Sequence, residues 1–172
     1  MNTQDKQSED QLVAELWAWD VKFLMGSHPQ AAPLLTSANL IASLAQSANA
    51  RVRFSLIPLF LRHPELSAEV KNADNLLSRQ IRHRNVLRFY YTAAVFLQTK
   101  YQKQLSHILG EQPQLPDFFS NILGVPPEKD PNQALEQLAK RHQTLSGQFV
   151  NWLGTYEHAA EVWLKQMELQ TA

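Results

Sequence analysis

The last third of the chain carries the feature that most limits the fold, an apolar repeat with the period of an α-helix. Apolar and aromatic residues, with one histidine among them, recur there at alternating steps of three and four: Leu135, Leu138, His142, Leu145, Phe149, Trp152, Tyr156, Ala159, Trp163 and Met167. Such a seam predicts a long amphipathic helix. Its start is marked by Asp130 as a capping residue, Pro131 at the first helical position and Gln133 at the third.

The length of this helix sets a second limit. An unbroken helix from residue 131 to residue 169 would span about 60 Å. That exceeds the expected width of a domain of 172 residues, so we expect a break near Gly147 or Gly154. An aromatic seam indicates either core packing or a surface for a partner, and the residues proposed for the partner-facing side are His142, Phe149, Trp152, Tyr156 and Trp163.

Helical spacing also begins close to the N-terminus. A capping box of Ser8 and Gln11 predicts a first helix that ends near Gly26, with residues 1–7 as a flexible segment before it. A linker over residues 27–33, which contains two prolines, should follow.

Residues 34–47 and 50–62 predict two more helices, separated by a turn so short that the two should pack as an antiparallel pair. Pro58 lies inside the second segment and should kink it. The sequence His63-Pro64 should end it.

Residues 67–108 contain neither glycine nor proline and predict helix again. One apolar stripe runs through them: Val86, Tyr90, Ala93, Leu97, Tyr101 and Ile108. Leu77 and Ile81 fall on roughly the opposite face, at about 100° per residue. Either the helix breaks near residues 83–85 or protein covers both of its sides, and the break is the favoured interpretation.

No segment alternates with the period of a β-strand, so the sequence predicts an all-α fold. We expect an irregular helical bundle with an N-terminal helical hairpin and a long C-terminal helix, broken or continuous. Residues 8–170 should form a single domain, divisible into lobes at 8–64 and 67–170. A hydrophobic content of 44% supports a sizeable core and argues against intrinsic disorder.

The sequence lacks the residues that several classes of catalytic and metal-binding site need. The chain has no cysteine, which excludes disulfides, cysteine nucleophiles and thiolate metal sites. It also lacks the His-Glu-x-x-His, glycine-rich phosphate-loop and Gly-x-Ser-x-Gly motifs. Glu157, His158 and Glu161 resemble half of a di-metal site, but the order of residues is reversed and there is no second copy, which favours a solvated face. The sequence therefore predicts no catalytic residue, no metal and no cofactor.

The compartment is predicted from what the N-terminus and the apolar stretches look like. The first ten residues match neither a secretory signal nor a transit peptide. The most apolar stretch, residues 54–61, is far shorter than the roughly twenty residues that a membrane-spanning helix needs. We expect a cytoplasmic protein without membrane contact.

The formal net charge of zero hides an uneven distribution. Residues 1–50 carry two basic and five acidic residues, residues 51–110 ten and three, and residues 111–172 four and eight, which gives −3, +7 and −4. Residues 75–110 contain no acid at all. Overall neutrality excludes a globally basic nucleic-acid binder but leaves a local basic site open.

The basic middle supplies the candidate site for an anion or nucleic acid: Arg79, Arg82, His83, Arg84, Arg88, Lys100 and Lys103. Arginine forks bind phosphate, and the interleaved aromatic residues are of the kind that stack on bases. The alternative is charge complementarity, in which the acidic ends of the chain or an acidic partner pack around the basic middle and the aromatic residues form core. This alternative is the favoured one.

The sequence shows two resemblances to known proteins. Leu40-Ile41-Ala42-Ser43-Leu44, followed by Ala50-Arg51-Val52-Arg53-Phe54-Ser55-Leu56-Ile57-Pro58-Leu59-Phe60-Leu61, makes the hairpin of residues 34–62 resemble one HEAT or armadillo helical pair. Such repeats recur every ~40 residues, and no second copy is present, so the hairpin is expected to be one part of a bundle. Residues 51–65, 89–98 and 115–119 resemble an uncharacterised group of bacterial helical proteins, some of which accompany small nucleotidyltransferases in toxin–antitoxin-like pairs. That resemblance implies a partner-binding role and no catalytic residue.

Two hypotheses for the function follow. The first is a non-enzymatic helical protein that works by binding a protein partner or a second copy of itself, as a regulatory protein or a member of a toxin–antitoxin-like pair. The second is an RNA-, DNA- or phosphate-binding protein that uses the basic residues between 79 and 103.

Overall fold

Capping residues, glycines and prolines divide the chain into helices. The computed structural model describes residues 3–24 and 32–171, and the side chains of residues 9–24 and 32–171. Its helices are α1 (Thr3–Ala18), α2 (Ser37–Gln46), α3 (Ala50–Phe54), α4 (Leu56–Arg62), a 3₁₀ segment (Pro64–Glu69), α5 (Val70–Leu76), α6 (Ile81–Lys100), α7 (Gln102–Leu109), α8 (Ser120–Leu123), α9 (Pro131–Ser146) and α10 (Trp152–Thr171). The described residues contain no strand, which confirms the all-α prediction. Within the same residues, none of the helices has the length and apolar character needed to cross a membrane.

The first helix differs from its prediction at both ends. It begins at Thr3, so Ser8 lies inside it rather than at its cap, and residues 3–7 are helical. It ends at Ala18 because Asp20 takes a left-handed φ of 59°. Val21 N–H then bonds to Leu16 O at 2.8 Å, and the buried Val21 side chain packs into the core. These contacts form a Schellman-type stop. The predicted end at Gly26 and most of the 27–33 linker lie outside the described residues.

A buried carboxylate connects α1 to the start of α2. Glu15 is fully buried, and its side chain accepts hydrogen bonds from Leu34 N–H at 2.7 Å and Leu35 N–H at 3.3 Å. These two backbone groups precede α2 and have no helical partner of their own. These hydrogen bonds fix the position of α1 relative to the residues that precede α2.

The predicted helical pair is present, but its second helix is divided into α3 and α4 and not merely kinked. Asn49 caps α3 by accepting from Arg51 N–H at 2.9 Å. Pro58 has no N–H to bond to Phe54 O, and α3 accordingly ends at Phe54, with α4 starting after Ser55. Helix α2 packs against both α3 and α4. The likeness of this region to a HEAT or armadillo pair stays a prediction.

Helix α6 is the centre of the fold. It packs against α2, α4, α5, α7, α9 and α10, and its middle turns are buried around the whole circumference. The predicted break at residues 83–85 is wrong, since α6 runs through them. The chain instead breaks at residues 77–80, where Leu77 ends α5 in the core and Ile81 starts α6 in solvent. Of the two alternatives, the favoured break at residues 83–85 is therefore contradicted, and protein covers both sides of the middle of α6.

The C-terminal seam is divided as the length argument predicted. Asp130 caps α9 by accepting from Asn132 N–H at 3.1 Å, and Gly147 ends it with φ +69°. Residues 147–151 connect α9 to α10, and the two helices pack against each other. One continuous core of apolar side chains extends from Leu12 in α1 to Met167 in α10.

Candidate functional site

Two arginines of the basic middle pair with an acid that lies just before α6. Asp74, near the end of α5, is buried and receives hydrogen bonds from two arginines of α6. Arg84 Nη2 lies 2.9 Å from its Oδ2, and Arg88 Nε lies 2.9 Å from its Oδ1. Burial acts to raise the pKa of this carboxyl, but the bonds from Arg88 and Arg84 outweigh burial and lower it. Arg84 and Arg88 therefore belong to an internal ion-pair cluster.

A second pairing neutralises the end of α6. Lys100 Nζ lies 2.8 Å from Glu157 Oε2, and the Tyr101 hydroxyl donates to Glu161 Oε1 at 2.8 Å. Burial raises the pKa of Tyr101, and the hydrogen bond to the Glu161 carboxylate raises it further, so the phenol stays protonated. Two of the three acidic residues of α10, Glu157 and Glu161, thus contact the basic middle of the chain, as the charge-complementarity alternative predicts.

The same contacts bear on the suspected metal ligands. Glu157 and Glu161 bond to Lys100 and Tyr101, and His158 is exposed. Within residues 3–24 and 32–171, no group of three or more His, Cys, Asp or Glu side chains is placed to hold a metal ion.

The seven residues proposed as one basic site are divided among different surroundings. Arg84 and Arg88 bind Asp74, and Lys100 binds Glu157. The exposed members are Arg79, Arg82 and Lys103, while His83 is half-buried. Only a few basic side chains of this segment are therefore free to contact a nucleic acid, and they do not form a continuous surface.

Most of the proposed partner-facing seam is core. Trp152, Tyr156, Trp163 and His142 are all buried, because the turn at residues 147–151 lets α9 and α10 pack against each other and against α6. Their assignment to a partner surface is wrong for this reason. Phe149 is the exception, with 91% of its surface exposed. An amphipathic pattern marks which side chains avoid water, and it does not say whose surface covers them.

His142 lies at the centre of an aromatic cluster. Its ring is parallel to Phe89 at 4.2 Å and to Trp152 at 3.6 Å between centroids. Two rings this close cannot share one face of an imidazole, so His142 is sandwiched between them. Its Nδ1 lies 2.6 Å from the Tyr156 hydroxyl. Burial lowers the pKa of His142 to about 3, so the ring is neutral at physiological pH.

The hydrogen bond to Tyr156 also decides which ring nitrogen carries the proton. Burial raises the pKa of Tyr156, so its hydroxyl keeps its proton. His142 Nδ1 is the partner of that hydroxyl, and a buried O–H without an acceptor is costly. We therefore assign the hydroxyl as donor and Nδ1 as acceptor, which puts the imidazole proton on Nε2.

A cavity of about 510 Å³ opens beside this cluster. The start of α6 and the end of α9 form its walls, with α3 and the end of α2 on a third side. Its cationic lining residues are Arg53 and Arg82, with His83 and the neutral His142 beside them, and no acidic residue lines it. Arg53 is held in place by donating to Ser47 O at 2.8 Å. The sequence argument identified Arg82, His83 and His142 as candidates but gave no sign that Arg53 would join them, because its helix is separated from α6 by the whole of α4 and α5.

The turn between α9 and α10 exposes an apolar surface next to this cavity. Leu145 is 45% exposed, Val150 41% and Phe149 91%. We call these three residues the hinge surface. Leu145 also lines the cavity, so the two features are adjacent.

Comparison with known proteins gives no relative for this arrangement. No family model matches the chain, and no curated protein and no solved structure is significantly similar to it.

Proposed function

We propose that this chain is a non-enzymatic helical interaction protein that docks a protein partner on its hinge surface. The observation that carries the proposal is the exposure of three large apolar residues within six positions, with Phe149 91% exposed. Burying one phenylalanine side chain in a partner is worth about 1.5–3 kcal/mol. Aromatic residues dominate the binding energy of protein interfaces. A regulatory partner of the kind implied by the resemblance to toxin–antitoxin-like helical proteins is compatible with this role.

The hinge surface is held in position from both sides. Gly147 ends α9 in the left-handed conformation, and Gln148 N–H donates to Ser146 Oγ at 3.2 Å. On the other side, Gly154 N–H donates to Asn151 Oδ1 at 2.9 Å as α10 begins. These bonds restrict the backbone on both sides of Phe149, which lowers the backbone entropy that binding a partner would cost.

The charges around the turn specify the chemistry of the partner. Between Glu136 and Glu157 the sequence contains no acidic residue, and no acidic residue lines the adjoining cavity. Arg82 is exposed and lines the adjoining cavity. The partner surface should therefore offer an apolar socket for Phe149 with acidic residues around its rim.

Site-specific photo-crosslinking tests this proposal in the native host. A photo-reactive phenylalanine derivative is placed at position 149 and, as a matched control, at Ile122, which is 63% exposed on α8. We expect a discrete crosslinked product from position 149 and not from position 122. Mass spectrometry should map the crosslink on the partner to an apolar socket with an acidic rim.

Light scattering at increasing protein concentration distinguishes a second copy of the chain from a different protein. Equal crosslinking from positions 149 and 122, or a crosslink on the partner in a polar or basic surface, would contradict the proposal.

A further inference from the structure

We propose that the cavity between α6 and the end of α9 binds a small organic phosphate, with the phosphate held by Arg53 and Arg82 and the organic part against the aromatic wall. This inference differs from the interaction function in the kind of ligand and in the residues that carry it, although Arg82 is common to both. It does not depend on Phe149, which does not line the cavity.

The first argument is charge. Arg53 donates to a backbone carbonyl, and Arg82 has no carboxylate within ion-pair distance among the described residues. This is in contrast to Arg84 and Arg88, both of which pair with Asp74. Two arginines beside a concave surface without an acid are placed to bind an anion, and guanidinium forks match the oxygens of phosphate.

The second argument is a neutral donor at the base of the cavity. With its proton assigned to Nε2, His142 lines the cavity with an N–H whose other ring nitrogen is already occupied by Tyr156. A neutral donor binds an anion without adding a buried charge that would need compensation when the cavity is empty.

The third argument is the size and apolar character of the cavity. A volume of about 510 Å³ is far more than a free phosphate ion needs and lies in the range of small-molecule sites. Val86, Phe89, Tyr90 and Trp152 line it; Val86 is half-buried and the three aromatic side chains are buried, with Trp152 8% exposed.

Calorimetric titration of the purified full chain tests the proposal with four probes: inorganic phosphate, ribose 5-phosphate, adenosine 5′-monophosphate and adenosine. We expect the organic phosphates to bind and adenosine not to bind. Inorganic phosphate should bind at least about tenfold more weakly than the best organic phosphate, because it does not contact the apolar wall.

Two charge reversals locate the site. Arg82→Glu should weaken binding of the best probe by about tenfold or more, because it replaces a cationic hydrogen-bond donor to the phosphate with a carboxylate that repels it. Arg79→Glu is the matched control, since Arg79 is also exposed and lies three positions away but does not line the cavity. Phe149→Ser should bind the probe like the wild type, so that this proposal and the interaction function fail separately.

Tyr156→Phe tests the role of His142 as a donor. Without the phenol, either imidazole nitrogen is able to carry the proton, and the ¹⁵N shifts of His142 should change from the Nε2-protonated pattern to a mixture while probe binding weakens. Three results would overturn the proposal: no probe binds, inorganic phosphate binds as tightly as the organic phosphates, or Arg79→Glu weakens binding as much as Arg82→Glu.

Discussion

Mild acid should destabilise this protein through His142, and the size of the effect follows from its burial. In the folded chain the pKa of His142 is lowered to about 3, whereas in an unfolded chain it is 6.5. The folded state therefore favours the neutral ring. The stability that this provides is fully present above pH 6.5 and is lost as the pH falls from 6.5 towards 3. At pH 5 the solution is about 1.5 pH units below the unfolded value, and at about 1.4 kcal/mol per pH unit the loss is about 2 kcal/mol.

Urea unfolding at pH 7.5 and pH 5.0, followed by tryptophan fluorescence, measures this loss. The matched control is the double variant His142→Phe with Tyr156→Phe, which keeps the aromatic stack and leaves no buried hydroxyl without a partner. Its free energy of unfolding should fall by about 2 kcal/mol less than that of the wild type between the two pH values. Contributions from other titrating groups are the same in both proteins and cancel.

The reasoning would be refuted if the wild type and the double variant lost the same stability on acidification. The ¹⁵N spectrum of His142 gives a second check, since the ring should remain singly protonated, on Nε2, at pH 5. A doubly protonated ring in the folded protein at that pH would show that the cavity solvates it.

Four further outcomes are expected. Asp74→Asn leaves two partly buried guanidinium groups without a counter-charge and should cost about 2–3 kcal/mol in chemical unfolding; a cost below about 1 kcal/mol would mean that solvent replaces the carboxylate. A double-mutant cycle of Lys100→Met and Glu157→Gln should give a coupling of about 0.5–1 kcal/mol that falls as salt is added, and zero coupling at low salt would contradict the pairing. Gly147→Ala should cost about 1 kcal/mol, because φ is +69° there and no atom crowds the new methyl group, and an unchanged midpoint would mean that the turn relaxes. Phe149→Ser should change stability by less than about 0.5 kcal/mol, and a larger loss would show that the side chain packs within the fold.

The sequence predicted local structure well wherever a residue acts on its own neighbours. The start of α9 depends on Asp130 and Pro131, and its end depends on Gly147, and all three work within one helical turn. The short α8 is also bounded by local contacts, since Asp117 Oδ1 accepts from Ser120 N–H at 3.0 Å and Gly124 ends the helix with φ +74°.

The predictions were less accurate where a helix ends although the apolar residues continue at helical spacing. Phe23 is at helical spacing from Trp19, and the pattern therefore extended α1 beyond its true end. The stop comes from Asp20, a residue type that also occurs inside helices, and it is stabilised by the burial of Val21. In the same way, the break at residues 77–80 has no glycine or proline to announce it.

The candidate site shows the same difference between what local sequence predicts and what the fold decides. A count of charges along the chain identified a basic middle, and it also placed Asp74 one residue outside the acid-free stretch. Only the fold shows that the turn after α5 brings this acid back against Arg84 and Arg88. The charge count along the sequence shows that the arginines need a counter-charge. Which acid supplies it depends on how the backbone folds.

The sequence by itself determined that the chain is helical and where α9 starts and stops, because these properties depend on residues a few positions apart. The tertiary structure alone decided that the C-terminal seam is covered by the chain's own α6 and not by a partner. It also decided that Phe149 remains in solvent, and that Arg53, Arg82 and His142 line one cavity. Those outcomes depend on how helices distant in sequence are packed, which is set by the summed burial of the whole core.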